Sequence, residues 1–277
     1  MMNDVQKRQK GTIKEAAMKQ NEAFNRLIRW STTFIALALI LSSNLAASAG
    51  GQKNAEFELS ALRGAGIGEL GHRVGHAGWG GSFYGGWVLP GTPFSLGVRL
   101  AMVNYGSEHN MDLAGYSAVA PAGVKYSYNI LLTHIVLRAQ PRESLLTPYL
   151  EALAGINYFF TQAYGGGSSS VPFIVGDAVL VVNQNNSTTL LSSLAPSVGL
   201  GGGLKLRLAR FSTGREATRA SWGLFLDLQG RYLISGTARY LRPGSLTLDG
   251  DRLISNIQRS RTDIFCFSLG LSLRKSP

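Results

Sequence analysis

Beyond residue 50, large apolar side chains recur at every second position rather than at helical spacing. Between residues 262 and 274, Phe265, Phe267, Leu269, Leu271 and Leu273 alternate with Cys266, Ser268, Gly270, Ser272 and Arg274. Successive side chains of a strand point to opposite faces, so one face is large and apolar and the other small or polar. The same split separates Phe94, Leu96, Val98, Leu100 and Met102 from Ser95, Gly97, Arg99 and Ala101. It also separates Val198, Leu200, Leu204, Leu206 and Leu208 from Ser197, Gly199, Gly201, Gly203, Lys205 and Arg207. Trp222, Leu224, Leu226, Leu228, Tyr232 and Ile234 likewise stand apart from Gly223, Phe225, Asp227, Gln229 and Arg231. Shorter runs over 55–62, 78–89, 125–139 and 149–160 bring the predicted strands to eight. In 125–139 both faces are apolar, and the pattern does not set which one faces inward.

These strands are long enough to cross a bilayer at a tilt, which takes about 9–11 residues, whereas soluble strands run to about 5–6. Short connections at 90–93, 140–147 and 210–220 alternate with longer ones at 63–77, 106–124, 162–193 and 236–261. That alternation is expected of short periplasmic turns and longer outer loops. The predicted fold is all-β: a closed antiparallel up-and-down transmembrane β-barrel of eight strands. The runs 172–175 and 178–182 read as a small hairpin beyond the membrane, or else as two further strands of a ten-stranded barrel. Trp79, Trp87, Phe94, Tyr105, Tyr149, Trp222 and Tyr232 lie near strand ends, where interfacial aromatic girdles are expected.

Alternation by itself leaves the sign open. A soluble barrel holds its large apolar residues inside, and a membrane barrel turns them outward. The N-terminal stretch bears on this. Arg26 and Arg29 precede the apolar run 34–41, and Ala47, Ser48 and Ala49 supply an A-x-A end. This is the layout of a cleaved signal peptide, its apolar run too short for a spanning helix. We expect residues 1–49 to be the signal peptide, with 1–17 a mis-assigned start ahead of Met18, and residues 50–277 to form the barrel domain. No later run of 18 apolar residues offers a transmembrane helix. The expected location is the bacterial outer membrane.

Composition refines the partners. The formal charge is +11, and seven basic and three acidic residues precede Gly50, so that stretch accounts for +4 and the remainder for +7. The remaining basic residues are dispersed rather than gathered in a stripe with aromatics, so no nucleic acid is expected as a partner. The single cysteine, Cys266, excludes an intrachain disulfide and a cysteine-based metal site.

The glycine-aromatic stretch 79–87, together with 94–105, 149–160, 225–234 and the closing strand, resembles the eight-stranded bacterial outer-membrane β-barrel proteins. These are the OmpA/OmpX-like group with the outer membrane protein beta-barrel domain, and the resemblance extends over about residues 55–275 by architecture. It implies outer-membrane lipid as the surroundings and assembly by the barrel-insertion machinery. The chain departs from the group at its end: Leu273 holds the last outward position, where such proteins commonly carry an aromatic residue.

Candidate chemistry is sparse. Gly66, Gly68 and Gly71 match G-x-G-x-x-G, but a dinucleotide site needs a helix to begin there, and the glycine-rich surroundings predict an irregular outer loop. His72 and His76 would share a face only on a helix, which Gly71 and Gly75 oppose, so no metal and no cofactor is expected. His134 could serve a membrane-embedded hydrolase together with a Ser and Glu151, yet no G-x-S-x-G elbow is present and no catalytic residue is assigned. The chain is expected not to be an enzyme.

By parity Glu58, Arg99, Glu151, Lys205, Arg207, Asp227 and Arg231 fall on the small, polar face. A charge turned to lipid costs about 2–4 kcal/mol at midplane for Arg or Lys, so these are expected to form a charge network in the lumen. Such a network would plug a barrel of this size or, given the neighbouring glycines and serines, line a narrow conduit. Arg239, Arg242, Arg252, Arg259 and Arg261 crowd the last long connection and suit lipopolysaccharide phosphates, which guanidinium groups bind bidentately. The sequence thus favours a structural or interaction barrel with narrow solute passage in view. Its alternatives are a membrane-embedded lipid-modifying enzyme and a soluble exported ligand-binding barrel.

Overall fold

The computed structural model describes residues 55–110, 123–141, 144–166, 171–175, 178–182, 188–213, 220–249 and 252–276. The expected export segment lies outside them. Eight strands close into a barrel: β1 (Ala55–Gly66), β2 (Gly78–Val88), β3 (Phe94–Asn110), β4 (Gly123–Ala139), β5 (Leu146–Gly166), β8 (Thr188–Thr213), β9 (Ala220–Ser235) and β14 (Ile264–Ser276). Each pairs antiparallel with its neighbour in the chain, and β1 closes on β14 from Glu56↔Arg274 to Gly66↔Ile264. The hairpin β6 (Val171–Val175) and β7 (Ala178–Val182) forms a separate two-stranded sheet, so the barrel has eight strands and not ten. Between β9 and β14 two short ribbons stand apart, β10 (Thr237–Tyr240) with β13 (Gln258–Arg261) and β11 (Leu246–Asp249) with β12 (Arg252–Ser255).

The sign left open by alternation is now fixed by exposure. Leu59, Leu150 and Leu200 are 70%, 71% and 72% exposed, and all five large residues of the 265–273 series face outward. The facing polar positions Ser60, Arg99, Glu151, Lys205, Asp227 and Ser268 are buried. A continuous exposed apolar girdle around a polar interior is the surface of a membrane barrel and the reverse of a soluble one. Among the described residues no helix is long and apolar enough to cross a membrane, so crossing is by strands.

Three features differ from expectation. First, β5 and β8 span 21 and 26 residues, reaching into the predicted loop 162–193. Their extra length exceeds any bilayer crossing and raises the barrel wall beyond the apolar girdle at the long-loop end. Second, Tyr105 and Tyr149 are not girdle residues: both are 4% exposed and point inward. Tyr149 shares parity with inward Glu151, and Tyr105 shares parity with buried Arg99, Ala101 and Val103. Third, a helix does form after β1, α1 (Glu69–Val74). Gly68 (φ 58°) and the left-handed Gly75 (φ 77°) bound it, and its i, i+4 pair Leu70 and Val74 is buried on the barrel mouth. Tertiary burial of that pair outweighs the weak local propensity of a glycine-rich stretch.

Two layers fill the lumen. Toward the short-turn end lies a charged layer. Above it lies an apolar and aromatic layer with Leu62, Val103, Tyr105, Tyr126, Tyr128, Ile130, Leu132 and Phe159. This second layer explains why 125–139 is apolar on both faces: Tyr126, Tyr128, Ile130, Leu132 and Val136 pack inside while Leu131, Ile135 and Leu137 face outward. The segment after β9 folds down to complete the layer, its own Tyr240 and Leu241 buried in it. The Tyr105 hydroxyl donates to the Leu241 carbonyl at 2.9 Å, and the Phe159 and Tyr240 rings meet at 5.8 Å. Burial pushes the Tyr240 phenol above its ordinary pKa.

Candidate functional site: the lumenal charge network

Arg138 near the short-turn end of β4 is the centre of the charged layer. It donates to Glu56, and through Nη2 to Glu58 at 3.1 Å and to Glu151 at 3.1 Å. Its guanidinium carbon lies 4.3 Å from the Tyr84 ring centre and 4.2 Å from that of Tyr149, so the cation is held between two aromatic faces. Arg99 makes a two-pronged contact with Glu58 at 2.7 and 3.2 Å and reaches Glu151 at 3.4 Å. Such forked pairing fixes orientation as well as charge. Lys205 bonds Glu56 and lies 3.8 Å from Asp227, while Arg231 lies 3.9 Å from Glu151. Tyr149 donates to Asp227 at 2.7 Å, Gln140 to Glu56 at 2.9 Å, and Gln229 to Glu58.

The structure therefore brings together six of the seven charged residues expected in the lumen: Glu58, Arg99, Glu151, Lys205, Asp227 and Arg231. Arg207 is not among them. It sits half-buried opposite Phe225 at the short-turn side of Lys205, where the register slips between Arg207 and Ala209. Sequence reasoning missed Glu56 and Arg138, each fully buried, and the neutral groups Tyr84, Tyr149, Gln140 and Gln229. With them, four carboxylates face four cations, and the layer is neutral as a set.

Beside two inward glycines the lumen is filled by tyrosine rings. A Cβ at Gly97 would lie 2.6 Å from Tyr84 Cε2, and one at Gly203 would lie 2.5 Å from Tyr149 Cζ, so the two tyrosine rings occupy the space those glycines leave. Several polar atoms in the layer, among them Arg99 Nε, Arg138 Nε and Glu151 Oε1, have no hydrogen-bond partner among the described residues. Groups of this kind are ordinarily satisfied by ordered water.

Above the network His134 Nε2 lies 3.2 Å from Ser197 Oγ, and Ser235 and Asn157 continue the polar chain. Both His134 and Ser197 are buried in the lumen, enclosed between the two layers. No hydrogen bond joins His134 to Glu151 among the described residues, so the orienting acid of a triad is not in place. His72 and His76 are exposed, and no group of three potential metal ligands occurs among the described residues.

The arginines of the last connection divide. Arg239 and Arg259 are direct partners across the β10–β13 ribbon, and Arg261 is two pairs along on the same face. Arg242 turns aside to the Arg73 carbonyl at 3.4 Å. Arg252 is the Cα partner of Asp249 in the second ribbon, and its side chain lies outside the described residues.

No family model matches the sequence, and neither does any curated protein. Among solved structures the chain is similar to Neisserial surface protein A, at 11% identity and a TM-score of 0.34, covering 80% of this chain and 95% of that one. Ail, the attachment invasion locus protein of Yersinia pestis, matches at 10% identity and a TM-score of 0.35, covering 81% and 99%. The N-terminal β-barrel domain of Pseudomonas aeruginosa OprF matches at 13% identity and a TM-score of 0.30, covering 80% and 99%. The barrel assignment itself rests on the closed strand pairing and the exposed apolar girdle of this chain.

Proposed function

We propose that this chain is a sealed outer-membrane barrel that acts through the surface at its long-loop end, with no open path for solute. One observation carries the reading: a neutral, cross-linked set of eight buried charges fills the lumen, and a tyrosine-rich layer closes it from above. An eight-stranded barrel is just wide enough for side chains to fill it, and here they do.

Cys266 provides the test. It is the only cysteine of the chain, it is 1% exposed, and it lines the lumen beside Arg231. A small hydrophilic maleimide is expected to leave Cys266 unmodified in the folded barrel and to modify it after unfolding. Rapid modification of the folded barrel would sink the seal.

Narrow solute passage is a second reading, favoured by the unpartnered polar atoms Arg99 Nε, Arg138 Nε and Glu151 Oε1, which imply hydration within the network. Planar bilayers separate the two. The sealed barrel is expected to give no discrete conductance. Steps altered by Arg99→Ala or Glu151→Ala would establish passage instead.

A further inference from the structure

We propose that Arg239, Arg259 and Arg261 form a binding face for phosphate groups of lipopolysaccharide in the leaflet around the barrel. The face is continuous with the lipid-contacting surface. Arg259, Arg261, Phe265 and Phe267 are all exposed at alternating positions, while Ser260, Thr262, Ile264 and Cys266 between them are buried. Arg261 and Arg259 thus stand four and six residues beyond Phe265, about 13 and 20 Å along the strand direction. Phe265 and its outward partner Tyr232 belong to the upper edge of the girdle. The arginines therefore fall in the zone of the headgroups.

The pairing itself points to an anion. Arg239 and Arg259 are directly opposed across the ribbon, an arrangement that repels unless a counter-charge lies between them. Arg261 has Asp263 at 3.3 Å, but no described carboxylate lies within ion-pair distance of Arg239 or Arg259. Below them on the same outer surface Arg63, the Cα partner of Phe267, holds its guanidinium 5.1 Å over the exposed Trp79 ring. Forked guanidinium donors match phosphate oxygens, and two facing forks span one phosphate. Lipopolysaccharide is the occupant we commit to, because the face rises directly from lipid rather than from the solvent-facing loop tips.

The proposal rests on the barrel acting through its outer end, and the two fail separately. The folded barrel is titrated with lipopolysaccharide, with its enzymatically dephosphorylated form, and with soluble heparin. The wild type is expected to prefer the phosphorylated lipid. Arg239→Gln/Arg259→Gln is expected to bind it about thirtyfold more weakly, while keeping the heat-shifted gel mobility of a folded barrel and the protection of Cys266. Arg239→Lys/Arg259→Lys, which keeps the charge and loses the fork, is expected to fall between. Equal affinity of wild type and Gln variant would overturn the proposal, as would indifference to dephosphorylation. Loss of heparin binding with lipopolysaccharide binding intact would also overturn it, assigning the face to a soluble polyanion.

Discussion

Replacing Arg138 by Met tests whether the lumenal charges act as one set. Arg138 contacts three carboxylates, those of Glu56, Glu58 and Glu151, and is stacked between Tyr84 and Tyr149. Met has a similar reach and retains contact with both rings, so the change removes charge more than volume. Four carboxylates would then face three cations inside a closed barrel. Removing one partner of a buried pair typically costs about 3–5 kcal/mol, because the remaining charge is left uncompensated. Loss of the aromatic contacts falls within that range rather than adding to it, since each exposed to desolvated cation–π contact contributes only about 0.5–2 kcal/mol. Arg138→Met/Glu56→Gln restores three against three and leaves Lys205 with Asp227. It is therefore expected to recover more than half of the loss. Urea unfolding of the barrel in phospholipid vesicles, followed by tryptophan fluorescence, measures both. A single-variant cost under about 1 kcal/mol, of the size seen for exposed pairs, would refute the buried-network argument. A double variant no more stable than the single would show that Arg138 acts through local packing and not through charge balance.

Leu200→Arg places a cation on the 72%-exposed outward position of β8. It is expected to cost about 2–4 kcal/mol in lipid, whereas a cost near zero in the same vesicle unfolding assay would put that face outside the hydrocarbon. Tyr105→Phe removes the hydrogen bond that ties the connection 236–263 to the upper layer. A loss of about 1 kcal/mol and faster proteolysis within 236–249 are expected, with unchanged cleavage showing that the connection is held by its apolar contacts alone.

The membrane barrel was legible because β9, β14 and the inner parts of β3 and β8 carry one large face and one small one, and because a charge cannot be left in lipid. What could not be read was the second layer. Period two identifies a half-buried strand only where its two environments differ. At the long-loop end of β4 the lumen is as apolar as the outside, with Tyr126, Tyr128, Ile130 and Leu132 inward and Leu131 and Ile135 outward. The alternation therefore fades where the fold is most densely packed. The ends of β5 and β8 were hidden for another reason: 162–166 and 188–193 are mostly polar or small, with only Tyr164, Leu190 and Leu191 large, too few to show a period, and that composition is shared by loops and by strands standing clear of the membrane. The helix α1 lay below any local threshold, since only its seat on the barrel mouth favours it.

The missing members of the network were within reach of the same rule that found the others. Glu56 stands two residues before Glu58 on β1, so it shares the inward face. Arg138 carries its own phase: away from the outer edge, where Arg63 faces outward over Trp79, a strand guanidinium is favoured in the lumen, and this sets the even positions 126–138 of β4 inward, His134 among them. The error over Tyr149 has the same root, because Glu151 inward requires Tyr149 inward. Treating it as a girdle residue placed proximity to a strand end above parity. In a barrel of this size, a charge is thus the strongest local marker of phase, and aromatic residues are assigned after it. Parity does place Arg207 on the inward face opposite buried Phe225, but two residues beyond Lys205 toward the short turn it stands outside the closed set, and the register slips just after it, between Arg207 and Ala209. Bulges are where a face-by-face reading of a strand breaks, since one extra residue shifts everything beyond it.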